Sequence, residues 1–228
     1  MLPEHLYMTD LGKMAYVVLY LPLVLVLLWL FFWKIKLPKL MLVVLAPVLL
    51  TLPFWDVYMI GRDAERLCRE EGGLHVYKVV EAEGFLGDSS IEVWSKYGFK
   101  YVESGGGDKM SRYTIVNGKP LHQRVQEFIS QYQLKTSDNQ RVVADYFART
   151  RYQVIDMRRV EVLGELVAFS IYPGWWDNII IGLSGSGSGF HPWSCGNEPP
   201  PRSDVLRLGG SDVVRATLKP KIVEGGFK

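Results

Sequence analysis

MAYVVLYLPLVLVLLWLFFW (residues 14–33), KIKLPK (34–39) and LMLVVLAPVLLTLPFWDVYMI (40–60) together decide how the chain is read. The first block carries no charge over about 20 residues, enough at ~1.5 Å rise per residue to cross a hydrocarbon layer of about 30 Å. The second block, Leu40 to Trp55, is shorter, and Val57 to Ile60 extends it beyond Asp56. The pattern predicts a helical hairpin, 14–33 and 40–60, crossing a membrane twice behind a tail of residues 1–13. Residues 61–228 are then a domain hung from that hairpin.

The uninterrupted apolar runs argue against two buried core helices of a soluble protein. A secretory signal fits poorly as well. The apolar core is too long, the leader carries Glu4 and Asp10, and no small-x-small cleavage site follows Trp33. Pro22, Pro47 and Pro53 are tolerated in lipid-embedded helices and mark kinks. Aromatic residues gather at the block ends (Trp29, Phe31, Phe32 and Trp33, then Phe54, Trp55 and Tyr58), as interface belts do. Asp56 would cost about 2.5–3.5 kcal/mol at the bilayer centre, which places it at the far interface. No second ionisable partner in either helix supports an ion or proton path through it.

The connecting loop carries Lys34, Lys36 and Lys39 and no acid, whereas the N-terminal segment carries only Lys13. By the positive-inside rule the loop is cytoplasmic and both termini face outward, into the periplasm if the source is a bacterium. Arg62, Arg66 and Arg69 beyond the second helix pull the opposite way. A net charge of only +2, with no Lys/Arg cluster that could track phosphates, argues against nucleic acid as a partner.

From Asp56 to Glu71 the pattern stays helical, with Tyr58, Met59, Ala64, Leu67 and Cys68 near one side and Gly72-Gly73 as its stop. LHVYKVVEAEGF (74–85) alternates and reads as a strand, and IEVWSKYGFKYVE (91–103) as a second with a turn near Gly98. SGGGD (104–108) is a loop. Asn117-Gly118 between apolar runs is a strong hairpin signal. Val125, Phe128, Ile129 and Tyr132 are ambiguous between helix and strand. The run from Val142 to Tyr172 reads as a long hairpin turning at Met157 to Arg159, and Ile179 to Leu183 as a further strand. The Gly/Ser run 182–189, the triple proline 199–201 and the last ten residues read as loop or frayed terminus, a tail region covering 184–228.

Cys68 and Cys195 are the two cysteines of the chain. In an oxidising compartment they can bridge, and closing a loop of over a hundred residues stabilises by somewhat under about 5 kcal/mol in the chain-entropy model. The alternatives are two unpaired thiols, or a metal set completed by His75 and His191. Neither spacing matches a zinc knuckle, so no metal site is assigned. LSGSGSGFH (183–191) fails both the nucleophile elbow and the dinucleotide fingerprint, and no cofactor is implied. Tyr172, Trp175, Trp176, Phe190 and Trp193 form an aromatic cluster. It reads either as core or as a contact surface for a partner, lipid or ligand. Glu161 and Glu165 share one strand face, with nothing beside them to specify acid–base roles.

The hairpin followed by Pro53-Phe54-Trp55-Asp56, Cys68, Gly72-Gly73 and the Tyr152–Phe169 hairpin with Leu163-Gly164-Glu165 resembles uncharacterised bacterial inner-membrane proteins of similar length. That resemblance implies a bacterial envelope location and brings no activity or site residues with it.

The expected architecture is a membrane-anchored α+β chain, two N-terminal transmembrane helices followed by a mostly antiparallel, extracytoplasmic β domain with minor helix. The expected function is a tethered accessory or assembly protein, its partners the bilayer and another membrane or envelope protein. An envelope-ligand binder is the second reading. The third is a hydrolase using His191 and a nearby serine, although no convergent catalytic set argues for an enzyme.

Overall fold

A computed structural model describes residues 7–34, 38–106, 109–142, 146–185, 192–198 and 207–221. Lys36, Phe190 and His191 lie outside these residues, as do 186–189 of the Gly/Ser run, the triple proline and most of the terminal tail. The chain divides into two compact units: Met1–Glu70 with Arg141–Ala148 and Ser170–Ser194, and Glu71–Gln140 with Arg149–Phe169 and Cys195–Lys228.

The first unit begins with two helices long and apolar enough to cross a membrane, Asp10–Trp33 and Leu40–Glu70, each with only 11% of its most apolar window buried. Prolines break both helices. In the first, α1 (Asp10–Ala15) passes through a π turn, Tyr16–Tyr20, into α2 (Leu21–Trp33). Pro22 has no N–H for the ladder, and the turn before it widens so that Leu21 N donates to the Tyr16 carbonyl. In the second, α3 (Lys39–Thr51) ends in a 3₁₀ turn, Leu52–Phe54, before α4 (Trp55–Glu70). Pro53 cannot donate to the carbonyl four residues back, Leu49. Tyr20 Oη donates to that oxygen at 2.7 Å, and Tyr16 Oη donates to Leu50 O at 3.0 Å. The neighbouring helix thus supplies donors for carbonyls at the proline break.

The second unit is built on a nine-stranded sheet. Its order is β1 (Gly73–Val76), β9 (Glu161–Ile171), β8 (Phe147–Asp156), β7 (Tyr132–Val142), β3 (Gly84–Leu86), β4 (Tyr101–Ser104), β5 (Ser111–Val116) and β6 (Lys119–Arg124). β10 (Trp193–Cys195) adds to β9, and β2 (Val80–Ala82) pairs separately with β11 (Leu218–Pro220). The β1–β9, β4–β5 and β5–β6 pairings are antiparallel. The β3–β4, β3–β7 and β2–β11 pairings are parallel, so the sheet is more mixed than the alternation predicts. The core joins Phe85, Trp94, Phe99, Leu163 and Leu166 to Val213 and Val214 of α7 (Gly210–Thr217), with Phe85, Trp94 and Phe99 packed edge to face.

The 147–171 hairpin forms as expected. So does the Asn117-Gly118 turn, where both residues take the positive φ (50° and 74°) that a two-residue hairpin turn requires. Several expected strands do not form. The stretch from Leu74 to Phe85 splits among β1, β2 and β3, because Tyr77 N and Lys78 N both donate to Leu163 O and turn the chain off the sheet. IEVW is helix α5 (Ile91–Trp94), continued by a 3₁₀ turn, and only Tyr101–Ser104 is strand. The cause is Asp88, whose carboxylate accepts from Ser89 N, Ser90 N and Trp94 Nε1 and organises a helical start. Ile179 to Leu183 lies in helix α6 (Trp175–Ser184), and the C-terminal region contains α7 and β11. Residues 125–131, ambiguous by spacing, are neither helix nor strand.

That irregular 125–131 segment is held by a fully buried carboxylate. Glu103 accepts from Arg112 Nε at 2.8 Å, Ser130 N at 2.9 Å, Ser130 Oγ at 2.5 Å and Ile129 N at 3.2 Å. Glu103→Ala strips these donors, two backbone N–H groups and the buried Ser130 hydroxyl among them, of their acceptor and leaves the half-buried Arg112 guanidinium without its counter-charge. We expect it to destabilise the second unit by about 3–5 kcal/mol, read from the midpoint of chemical unfolding. A loss within error of zero would show that water replaces the carboxylate.

Candidate functional site

The densest convergence of buried polar and aromatic groups in the first unit lies where α6 meets the start of α1. Thr9 caps α1, its Oγ accepting from Gly12 N, while the same Oγ donates to Asp177 Oδ1 at 2.9 Å and Thr9 N donates to Asp177 Oδ2 at 2.7 Å. Asp177 is 1% exposed. One residue back, Trp176 Nε1 donates to the Gly12 carbonyl at 3.0 Å and its ring meets Tyr20 edge to face at 5.1 Å. Met8, Ala15, Val57, Trp176 and Ile180 form the apolar cluster around these bonds.

The start of α6 is capped from a distance. Gly174, its N-cap, brings no side chain, and Asp56 supplies the acceptor instead: Trp175 N donates to Asp56 Oδ2 at 2.5 Å. Gly174 is required there, because a Cβ would overlap the Asp56 carboxylate. The aspartate that the hydropathy pattern places at a membrane boundary thus has an assigned partner.

Beside Asp56 a cavity of about 200 Å³ is lined by Trp55, Asp56, Met59, Ile60, Asp63, Tyr146 and Phe147. Arg66 and Arg62 lie 3.6 and 3.7 Å from Asp63. Burial, then the charge of Asp56, holds the Tyr146 phenol above its ordinary value. Both carboxylates beside this cavity are already partnered, Asp63 by the two arginines and Asp56 by Trp175 N and Val57 N.

The aromatic cluster expected from sequence is brought together only in part. Trp176 is buried, Trp175 is half-buried with its ring 6.0 Å from that of Trp176, and Tyr172 is half-buried, its N–H donating to the Tyr146 carbonyl. Trp193 sits edge-on to Tyr7 at 5.6 Å. Cys68 and Cys195 are disulfide-bonded, which leaves no thiolate for the metal set weighed above. No group of three or more His, Cys, Asp or Glu fit to hold a metal occurs among the described residues. His122 Nε2 lies 2.9 Å from Ser111 Oγ on the β5–β6 hairpin, a histidine–serine pair the sequence did not single out.

No family model matches the chain, and no curated protein or solved structure matches it.

A Cβ on Gly12 would overlap Asp177 Oδ1. Gly12→Ala should therefore detach α6 and expose it to limited proteolysis, and Asp177→Ala in the same chain should restore part of the protection. Equal digestion of wild type and Gly12→Ala would contradict this packing. Burial, reinforced by the Asp56 charge against the opposing Thr9 hydrogen bonds, raises the Asp177 carboxyl. The folded chain then keeps a proton that the unfolded chain releases near pH ~4, so stability falls as pH rises from there through the raised value. In Asp177→Asn the thermal midpoint should lose that slope; an unchanged slope would assign it elsewhere.

Proposed function

We propose that the chain is a membrane-anchored, extracytoplasmic accessory module of a bacterial inner membrane. The observation that carries this reading is the exposure of the two apolar helices. Met14, Val17, Val18, Leu40, Val43 and Val44 are each more than half exposed, an area that lipid covers and water does not. The first helix is also part of the unit's own core, through Ala15, Tyr16 and Tyr20, and a cleaved leader would leave that core open. The lysines of the connecting loop support an outward placement of both termini, against the pull of Arg62, Arg66 and Arg69, and the bonded Cys68–Cys195 pair suits an oxidising compartment.

The partner-contact part of the reading rests on β6. It lies at one end of the strand order, paired with β5, and all six residues are exposed. Leu121 on β6 and Val116 on β5 add exposed apolar side chains to that edge; Pro120 brings no N–H to it, so an added strand would meet the outward N–H groups of His122 and Arg124. The cavity beside Asp56 supports the second reading, a small-ligand binder, although it is smaller than common ligand pockets of about 300–1,000 Å³.

Two measurements test the proposal. The chain should stay with membranes after alkaline extraction, and its C-terminal domain should be digested by protease added to spheroplasts but not to inverted vesicles; release by alkali or the reverse protection pattern would refute anchoring or orientation. A photo-crosslinker at Leu121 should give one discrete protein adduct in cells, lost in Arg124→Pro, which removes an N–H that the β5–β6 register turns away from β5. An adduct that survives the proline would show that edge pairing is not the mode of contact.

A further inference from the structure

We propose that α6 is a third lipid-contacting element, an amphipathic helix seated at the outer membrane–water boundary beside the first helix. The inference rests on the reading that the apolar helices lie in a bilayer, and it goes beyond that reading in giving the bilayer a site on the folded domain. Asp177 is the one charged residue of α6, and it is turned inward onto Thr9. What α6 turns outward is free of charge: Asn178, Ile179 at 49% exposure, Gly182, Leu183 at 80% and Ser184, with Ile181 half-exposed. Ile179 and Leu183 are four residues apart and share one side.

The depth of α6 follows from what it is bonded to. Trp176 reaches from the Gly12 carbonyl to the Tyr20 ring, eight positions along the first helix. That is about 12 Å along the axis at ~1.5 Å per residue. Lys13 is the last charge before the apolar run, so Tyr20 lies about 10 Å inside the level of Lys13. Its bonds to Thr9 and Gly12 hold α6 at the level of Lys13 while the Trp176 ring reaches inward toward Tyr20, and interfacial helices lie so, with an apolar side about 5–10 Å below the headgroups. Met14, the first residue of the apolar run, is likewise exposed on the helix that α6 packs on. The occupant of the face is therefore the acyl–headgroup boundary, and not a soluble ligand.

The test uses the full chain, oxidised so that its own cysteines stay bonded, reconstituted in phosphatidylcholine vesicles with a minor share of phosphatidylglycerol. An environment-sensitive fluorophore is attached in turn at Leu183→Cys, at Met14→Cys on the first helix, and at Val160→Cys on the 84%-exposed tip of the β8–β9 turn. Lipids quenched at a shallow chain position should dim the Leu183 probe about as strongly as the Met14 probe, with a blue-shifted emission, and leave the Val160 probe bright. If Met14 is dimmed while Leu183 behaves like Val160, α6 faces water and the inference fails with the anchor intact. If Leu183 is shielded from aqueous iodide yet not dimmed by the lipids, a second copy of the chain covers the face, and the inference fails. If Met14 is not dimmed, the anchor reading itself falls and takes α6 with it.

Discussion

The structure of the first unit depends on a proline that cannot donate and a tyrosine that can. Pro53 removes the N–H that would have met the Leu49 carbonyl, in a segment whose surroundings are apolar. Tyr20 closes that gap from the neighbouring helix. Buried without a partner, such a carbonyl costs several kcal/mol in hydrocarbon, so the bond fixes the pairing of the two helices while it removes the penalty. The ring of the same tyrosine meets Trp176, which donates to Gly12. One side chain thus ties the helix break to α6, and the break in turn sets Asp56 where it caps α6.

This arrangement gives each of the costly groups a use within the unit. Asp56 and Asp177, both acids close to apolar helices, accept backbone N–H groups at the starts of helices. Gly12 and Gly174 leave room for those carboxylates. The polar chemistry at the start of the helical hairpin is thereby consumed in positioning, and the face left outward on α6 is uncharged.

Much of this was readable in the chain and some was not. The apolar runs, the helical continuation to Glu70, the Asn117-Gly118 turn and the 147–171 hairpin are local patterns, and local patterns survive folding when tertiary contacts agree with them. Helix α6 is different. Its β-branched run, Ile179 to Ile181, reads as strand, and its cap comes from Asp56, more than a hundred residues away, so no window along the sequence contains both. α5 differs again: its start signal, Asp88, is local, but the β-branched and aromatic residues that follow carry a strand preference that the Asp88 bonds to Ser89, Ser90 and Trp94 override. The aromatic cluster was visible as composition, but whether Trp176 faces core or solvent depends on Gly12 and Tyr20, which lie at the other end of the chain.

The central claim is that the first apolar helix remains in the finished protein as part of its core and its anchor. The intact mass of the chain purified from membranes under non-reducing conditions tests it most directly. A species that retains Thr9 to Trp33 is the expected result. A mature species lacking that segment, yet still folded and disulfide-bonded, would contradict it.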